Sequence, residues 1–240
     1  MRTLLLSRMP QVIALALVWT AGCTVSMTSD MDGTMDNGTD GAGSVDDTTN
    51  AALIADCTGD FPTEDVDGPV TFTVDGTRIV MMGVYMDDTS DTLLGLLDNN
   101  PDVRTIVMAN VGGSDVSNDQ NLDGGREIRR RNINTCVPEG GLVASGGTDF
   151  FAAGARRLVM NGGRVGVHSW EDSEEDGSNV VAGNEVPRDD ARHDPLLSFY
   201  EDIGIPEDFY WFTLDAAPAS DMYFMTTEEL VQFGLIENGN

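Results

Sequence analysis

The chain has no lysine: all 13 of its basic side chains are arginines. Schiff-base enzymes, phosphate-loop nucleotide hydrolases and serine–lysine dyads each need a primary amine, so all three are excluded. Histidine is nearly as scarce, with His168 and His193 the two present. An imidazole base working near neutral pH must be one of them. Cysteine occurs three times, at Cys23, Cys57 and Cys136. The apolar run Val12 to Trp19 is too short to span a bilayer as a mature helix.

Against these few cations stand 41 acidic residues, giving a net charge of -28 over 240 residues. Such a field opposes nucleic acid and anionic membrane surfaces as electrostatic partners. A hydrophobic content of 40% is ordinary, so the acidity decorates a surface rather than replacing a core.

Residues 1–22 read as an export signal. Arg2 and Arg8 precede the apolar run, which closes on Thr20-Ala21-Gly22-Cys23. Small residues leading into a cysteine resemble the bacterial lipobox, which implies that Cys23 is lipidated and becomes the first mature residue. The alternative is a plain secretory signal with a chance cysteine. Thr24 after the cysteine, by likeness to enterobacterial sorting, implies a lipid anchor in the outer membrane of a bacterial cell envelope, facing the periplasm. Loss of residues 1–22 removes two arginines and no acid, which takes the charge to -30.

Residues 23–68 are rich in Asp, Gly, Thr, Ser and Asn and lack any basic residue, the composition of a flexible acidic tether. The acidic stretch from Asp30 to Asp40 lacks the alternate ligands and closing Glu of a calcium loop, so no metal site is expected. With Cys23 lipidated, Cys57 and Cys136 remain as an even pair, either a disulfide tying the tether to the domain or two buried thiols.

Residues 69–240, about 170 in all, suffice for one domain with its own core. Asp75-Gly76 between two β-branched runs predicts a hairpin. Strands are expected at 104–108, 134–137, 142–144, 157–160 and 164–167, with helices at 92–97, 123–131, 145–153, 189–203 and 226–233. Arg126, Arg129 and Arg130 are placed on an outer helix face, and 171–186 in a loop. Strands alternating with helices indicate an α/β fold with largely parallel pairing.

Three segments could carry chemistry. Gly112-Gly113 follows a strand, where bare backbone N–H groups can approach a substrate closely. Ser145-Gly146-Gly147 opens an otherwise apolar helix, and two glycines there cost about 1 kcal/mol each relative to alanine. Ser145 is then either a simple N-cap or a presented nucleophile. His168 ends a β-branched strand, whereas His193 between Arg192 and Asp194 reads as a solvated surface residue.

Together these segments resemble the Clp protease proteolytic subunit family and the wider crotonase superfamily, and more narrowly a group of periplasmic bacterial proteins of that fold. The likeness runs through Arg104–Met108 with Gly112-Gly113-Ser114, Arg126–Val137, Ala144-Ser145, Phe151–Arg157, Gly166-Val167-His168 and Asp221–Thr226 with Glu229-Leu230. It covers residues 69–237. The resemblance implies an α/β spiral of β-β-α units with C-terminal helices. It also implies a serine hydrolase acting on peptides without a cofactor. Ser145 is its nucleophile, His168 its base and Asp221 the orienting acid, with Asp215 as the fallback. Gly112 or Gly113 with Gly146 forms its oxyanion hole. Relatives assemble into rings or trimers, which implies a homo-oligomer. Asn110-Val111 stands where Ser-Pro is common, and Val143 and Gly147 stand where the periplasmic relatives carry cysteines. A non-catalytic binding module on the same fold is the competing reading. Crotonase thioester chemistry is opposed by the charge, because coenzyme A is a polyanion.

Overall fold

The computed structural model describes residues 44–64, 68–86, 88–114, 118–173 and 179–237. The export signal, Cys23 and residues 24–43 of the expected tether lie outside the described residues. That tether ends sooner than composition suggests, because Ser44–Cys57 forms a helix, α1, attached to the domain. Leu53 and Cys57 are buried against Val107, Cys136 and Leu158. Asp56, 6% exposed, accepts hydrogen bonds from Thr77 (2.7 Å), Thr105 (2.8 Å) and Arg104 Nε (3.0 Å). Cys57 and Cys136 form a disulfide with Cα atoms 6.1 Å apart. The acidic composition of this stretch hid a short docking face of three buried side chains, Leu53, Asp56 and Cys57.

Asp75 and Gly76 turn strand β1 (Thr71–Asp75) into β2 (Arg78–Tyr85), antiparallel as the hairpin signal predicts. Helix α2 (Thr89–Asn99) buries Leu93 and Leu97 and leads to β3 (Thr105–Ser114), which lies parallel to β2. Helix α3 (Asn118–Arg130) starts five residues before the expected position. Then come β4 (Asn134–Val137), β5 (Leu142–Ala144), α4 (Gly146–Ala152), β6 (Arg157–Val159) and β7 (Arg164–Val167).

The sheet forks at β3. Its first half pairs with β4 (Ile106 opposite Thr135), which pairs with β6. Its second half pairs with β5 (Val111 opposite Val143), which pairs with β7. All of these pairings are parallel. Consecutive strands β4 and β5, and again β6 and β7, therefore step from one branch to the other. Both steps use the same device, a Gly-Gly turn closed by a 2.9 Å bond, Gly141 N–H to Pro138 O and Gly163 N–H to Met160 O. The result is a spiral of β-β-α units, the α/β architecture implied by the resemblance.

Past β7 the chain departs from the expected loop and helices. A small hairpin of β8 (Glu171–Asp172) and β9 (Val181–Ala182) occupies the loop. The helix expected over 189–203 is a 3-10 turn at Ala191–His193 followed by α5 (Asp194–Ile203). An unforeseen α6 (Glu207–Ala216) comes next, then β10 (Tyr223–Phe224) antiparallel to β7, and α7 (Thr227–Gln232). Helix α7 starts with a full capping box between Thr226 and Glu229. Phe150, Phe151, Phe199, Tyr200 and Phe209 fill the core between α4, α5 and α6.

Arg129 is not on the outer face expected for it. It turns inward to cap carbonyls at the end of α4, donating to Gly154 O at 2.7 Å, and reaches Ile203 O at the end of α5. Arg157 joins it, donating to Gly154 O (2.6 Å), Leu235 O and Gly234 O (both 2.8 Å). Helix C-terminal carbonyls lack intrahelical partners, and cations there are favoured by the dipole.

A disulfide closing a loop this long restricts the unfolded chain, an effect of about 2–4 kcal/mol. Replacing Cys57 and Cys136 together by serine should therefore lower the unfolding free energy by about that amount in denaturant titration. It should also open residues 44–57 to proteolysis before the rest of the domain.

Candidate active site

Three neighbouring parallel strands end side by side. Gly112 of β3 lies opposite Ala144 of β5, which lies opposite Gly166 of β7. The residues that follow are Gly113, Ser145 and, two positions on, His168. The sequence-predicted glycine pair, nucleophile and base are thus delivered to one edge of the sheet, beyond the carboxyl ends of the strands, where open α/β sheets place ligands.

Ser145 has φ 56° and ψ -128°, a backbone conformation that non-glycine residues rarely adopt. Such strain costs on the order of 1–3 kcal/mol and persists only where the surroundings impose it. Here they do so from both sides. The carbonyl of Gly166 accepts the Ser145 N–H at 3.1 Å and the Thr148 hydroxyl at 2.7 Å, which fixes the turn to the strand that carries His168. On the other side Gly147 lies so close to β3 that a Cβ would collide with the Val111 carbonyl oxygen. Ser145 makes no side-chain capping bond, so the plain N-cap role does not apply, and the residue is half-buried with its hydroxyl uncommitted among the described residues.

The glycine pair suits an oxyanion site. The space where a Gly112 Cβ would stand holds nothing within 4 Å, and Gly113 has φ +64°. Gly146 is the first residue of α4, so its N–H has no intrahelical acceptor. Asn121, 3% exposed, donates Nδ2 to the Gly146 carbonyl at 3.3 Å and so steadies that peptide. Its Oδ1 is buried without a partner among the described residues.

His168 is half-buried, and burial holds its imidazole below the ordinary value against an opposing pull from main-chain groups of Ser169 and Ala219. Its Nδ1 is buried and has no partner among the described residues. No hydrogen bond among those residues joins it to Ser145. Neither acid expected to orient it does so. Asp221 is exposed and accepts the N–H of its neighbour Met222 at 2.8 Å, while Asp215 pairs with Arg188 at 3.2 Å on the surface. The site therefore brings together Ser145, Gly112, Gly113, Gly146 and His168 but not the third member.

His193 is the clearest correction. It is fully buried, not solvated: Nδ1 meets the Tyr210 hydroxyl at 2.6 Å, and the rings of Trp170, Tyr210 and Trp211 surround it. Its charged neighbours Arg192 and Asp194 gave the wrong impression of its own side chain.

Asp149 went unnoticed in the sequence. It is half-buried where every other residue of α4 is fully buried, and the Tyr200 hydroxyl donates to its Oδ1 at 2.5 Å. Burial pushes its carboxyl up to about 6, with the Tyr200 hydrogen bond opposing the rise. A lone acid in an otherwise apolar helix directly after the serine was the available signal. Among the described residues no group of three or more His, Cys, Asp or Glu side chains could hold a metal ion.

Compared by sequence, the chain matches no protein-family model and no curated protein. Among solved structures it is similar to a membrane-bound stomatin-specific protease, with 17% identity over 67% of this chain and 71% of that one and a TM-score of 0.44. It is also similar to an enoyl-CoA hydratase from Polaromonas, with 13% identity, 70% and 69% coverage and a TM-score of 0.41. A third likeness is to an enoyl-CoA hydratase from Mycobacterium ulcerans, with 16% identity, 71% and 76% coverage and a TM-score of 0.38.

Because the folded state binds the Asp149 proton more tightly than the unfolded chain, its contribution to stability is present below pH 4 and is lost as pH rises through about 6. Asp149→Asn should then be more stable than wild type at pH 8, by about 2–3 kcal/mol at most, and should lose that advantage at pH 4. Thermal unfolding at the two pH values checks this.

Proposed function

We propose that this chain is an extracytoplasmic serine hydrolase acting on peptides. The observation that carries the reading is the strained Ser145 turn, pinned between β3 and β7 on the same sheet edge as Gly112-Gly113 and His168. In this mechanism neutral His168 takes the Ser145 proton as Oγ attacks the peptide carbonyl. The resulting oxyanion accepts N–H bonds from Gly146 and from Gly112 or Gly113. His168 passes the proton to the leaving amine, and water, deprotonated in its turn by His168, releases the acyl group. Asp221 faces solvent, so the base works as a Ser145–His168 pair in which Nδ1 is shielded rather than bound to an acid. A base held below the ordinary histidine value is neutral at pH 7, as this role requires.

The N-terminal pattern of charge, apolar run and small residues before Cys23 supports a lipid anchor that holds the domain at the bacterial outer membrane, facing the periplasm. We extend the proposal to a homo-oligomer on the strength of the family resemblance alone.

A second reading, a binding module that keeps the fold without turnover, is favoured by one observation: Ser145 and His168 are not hydrogen-bonded to each other. A fluorophosphonate probe separates the two. The hydrolase reading expects covalent labelling of the full chain that disappears in Ser145→Ala. It expects a fall of about 10²-fold or more in His168→Ala. Asp221→Asn should label at close to the wild-type rate. The acid limb of the labelling rate should have its midpoint below the ordinary histidine value, because the folded imidazole protonates only at lower pH. A folded wild-type protein that stays unlabelled supports the binding module instead.

A further inference from the structure

We propose that Asp149 is the specificity-determining residue of this site and selects substrates carrying a cationic side chain, arginine or lysine, next to the scissile bond. The inference rests on the hydrolase reading above and names its substrate class.

Helix α4 is closed to solvent except at Asp149, one turn after Ser145, which is itself half-buried. The two residues are in contact through the backbone, since the Asp149 N–H donates to the Ser145 carbonyl at 3.3 Å. Asp149 stands one turn into α4 from Ser145, and helical side chains lean toward the N-terminus of their helix. Ser145 and Asp149 are thus the two residues of 145–152 that keep some exposure.

None of the ion pairs among the described residues involves Asp149. Tyr200, buried at 1% exposure, occupies Oδ1 and fixes the group's orientation, whereas Oδ2 takes no partner among the described residues and is not among the buried unpaired atoms. A partly desolvated, oriented acid with no ion-pair partner among the described residues is costly to keep charged in the free protein, in line with the rise of its carboxyl. A guanidinium or ammonium arriving with the substrate would supply the missing partner in partly desolvated surroundings, where such pairs discriminate strongly. Among the described residues, Arg126, Arg130 and Arg131 are engaged by surface acids, and Arg129 and Arg157 by main-chain carbonyls.

The test uses two peptidyl diphenyl phosphonates, identical except for a guanidinium or an n-butyl side chain at the residue beside phosphorus, against the full chain at pH 8. Binding of benzamidine and of uncharged benzamide to Ser145→Ala is measured in parallel by calorimetry. The expected result is labelling at least about tenfold faster with the guanidinium probe. That preference should be lost in Asp149→Asn and kept in Tyr200→Phe, which removes the supporting hydroxyl but leaves the charge. Benzamidine should bind and benzamide should not. Equal or faster labelling by the n-butyl probe, or a cationic preference that survives Asp149→Asn, overturns the assignment while leaving the hydrolase intact. Benzamidine binding that requires Asp149, with neither probe labelling Ser145, upholds the cation site and overturns the serine chemistry. No labelling and no benzamidine binding overturns both.

Discussion

The site depends on one close approach, that of Gly147 to the carbonyl of Val111. With no Cβ at this position, the first turn of α4 can lie directly against β3, where any larger residue would meet main-chain oxygen. From that contact the rest follows. Ser145 is forced into a positive φ between the end of β5 and the start of α4, and Gly166 on β7 closes the other side with two hydrogen bonds. The strain is local, and the parallel pairing of β3, β5 and β7 that surrounds it is extensive enough to hold it. Two glycines that weaken α4 as an isolated helix are what let it present a serine at the edge of the sheet.

The second constraint is electrostatic. In a chain with far more acids than bases, several of the described arginines make specific buried contacts. Arg129 and Arg157 divide the carbonyls at the ends of α4 and α5 and in the C-terminal segment between them, a task suited to a planar group with five donors and beyond an ammonium with three. Burial and the neighbouring Arg129 charge draw Arg157 down to about 10, which leaves it cationic at any physiological pH. Arg104 meets the buried Asp56 and helps fasten α1 to the strands. The absence of lysine thus coincides with a framework in which cations act mainly as multidentate hydrogen-bond donors.

Much of this was legible in the sequence, and the failures have physical causes. Strands β2, β3, β5 and β7 stood out because buried parallel strands are continuous apolar runs rich in β-branched residues, and Asp75-Gly76 marked the hairpin that leads into β2. The glycine pair, Ser145 and His168 were found because glycine and polar residues are out of place at the ends of such runs. Helix α1 was hidden because its attachment relies on few residues, Leu53, Asp56 and Cys57, within an acidic sequence typical of tethers. Helix α6 was missed because Phe209-Tyr210-Trp211-Phe212 is apolar on every face and shows no helical period. His193 was misread from its neighbours, since a 3-10 turn points successive side chains in different directions and sends Arg192 outward and the imidazole inward. The orientation of Asp221 was not readable at all, because a loop carboxylate can turn to its own backbone as readily as to a histidine.

The central claim is that the edge formed by β3, β5 and β7 is built around an oxyanion next to Ser145. A crystal structure of the chain after reaction with a phosphonate tests it most directly. The expected result is phosphorus bonded to Ser145 Oγ, with the phosphoryl oxygen accepting N–H bonds from Gly146 and from Gly112 or Gly113. An adduct on another residue, or a Ser145 adduct whose phosphoryl oxygen points to solvent away from those amides, would contradict it.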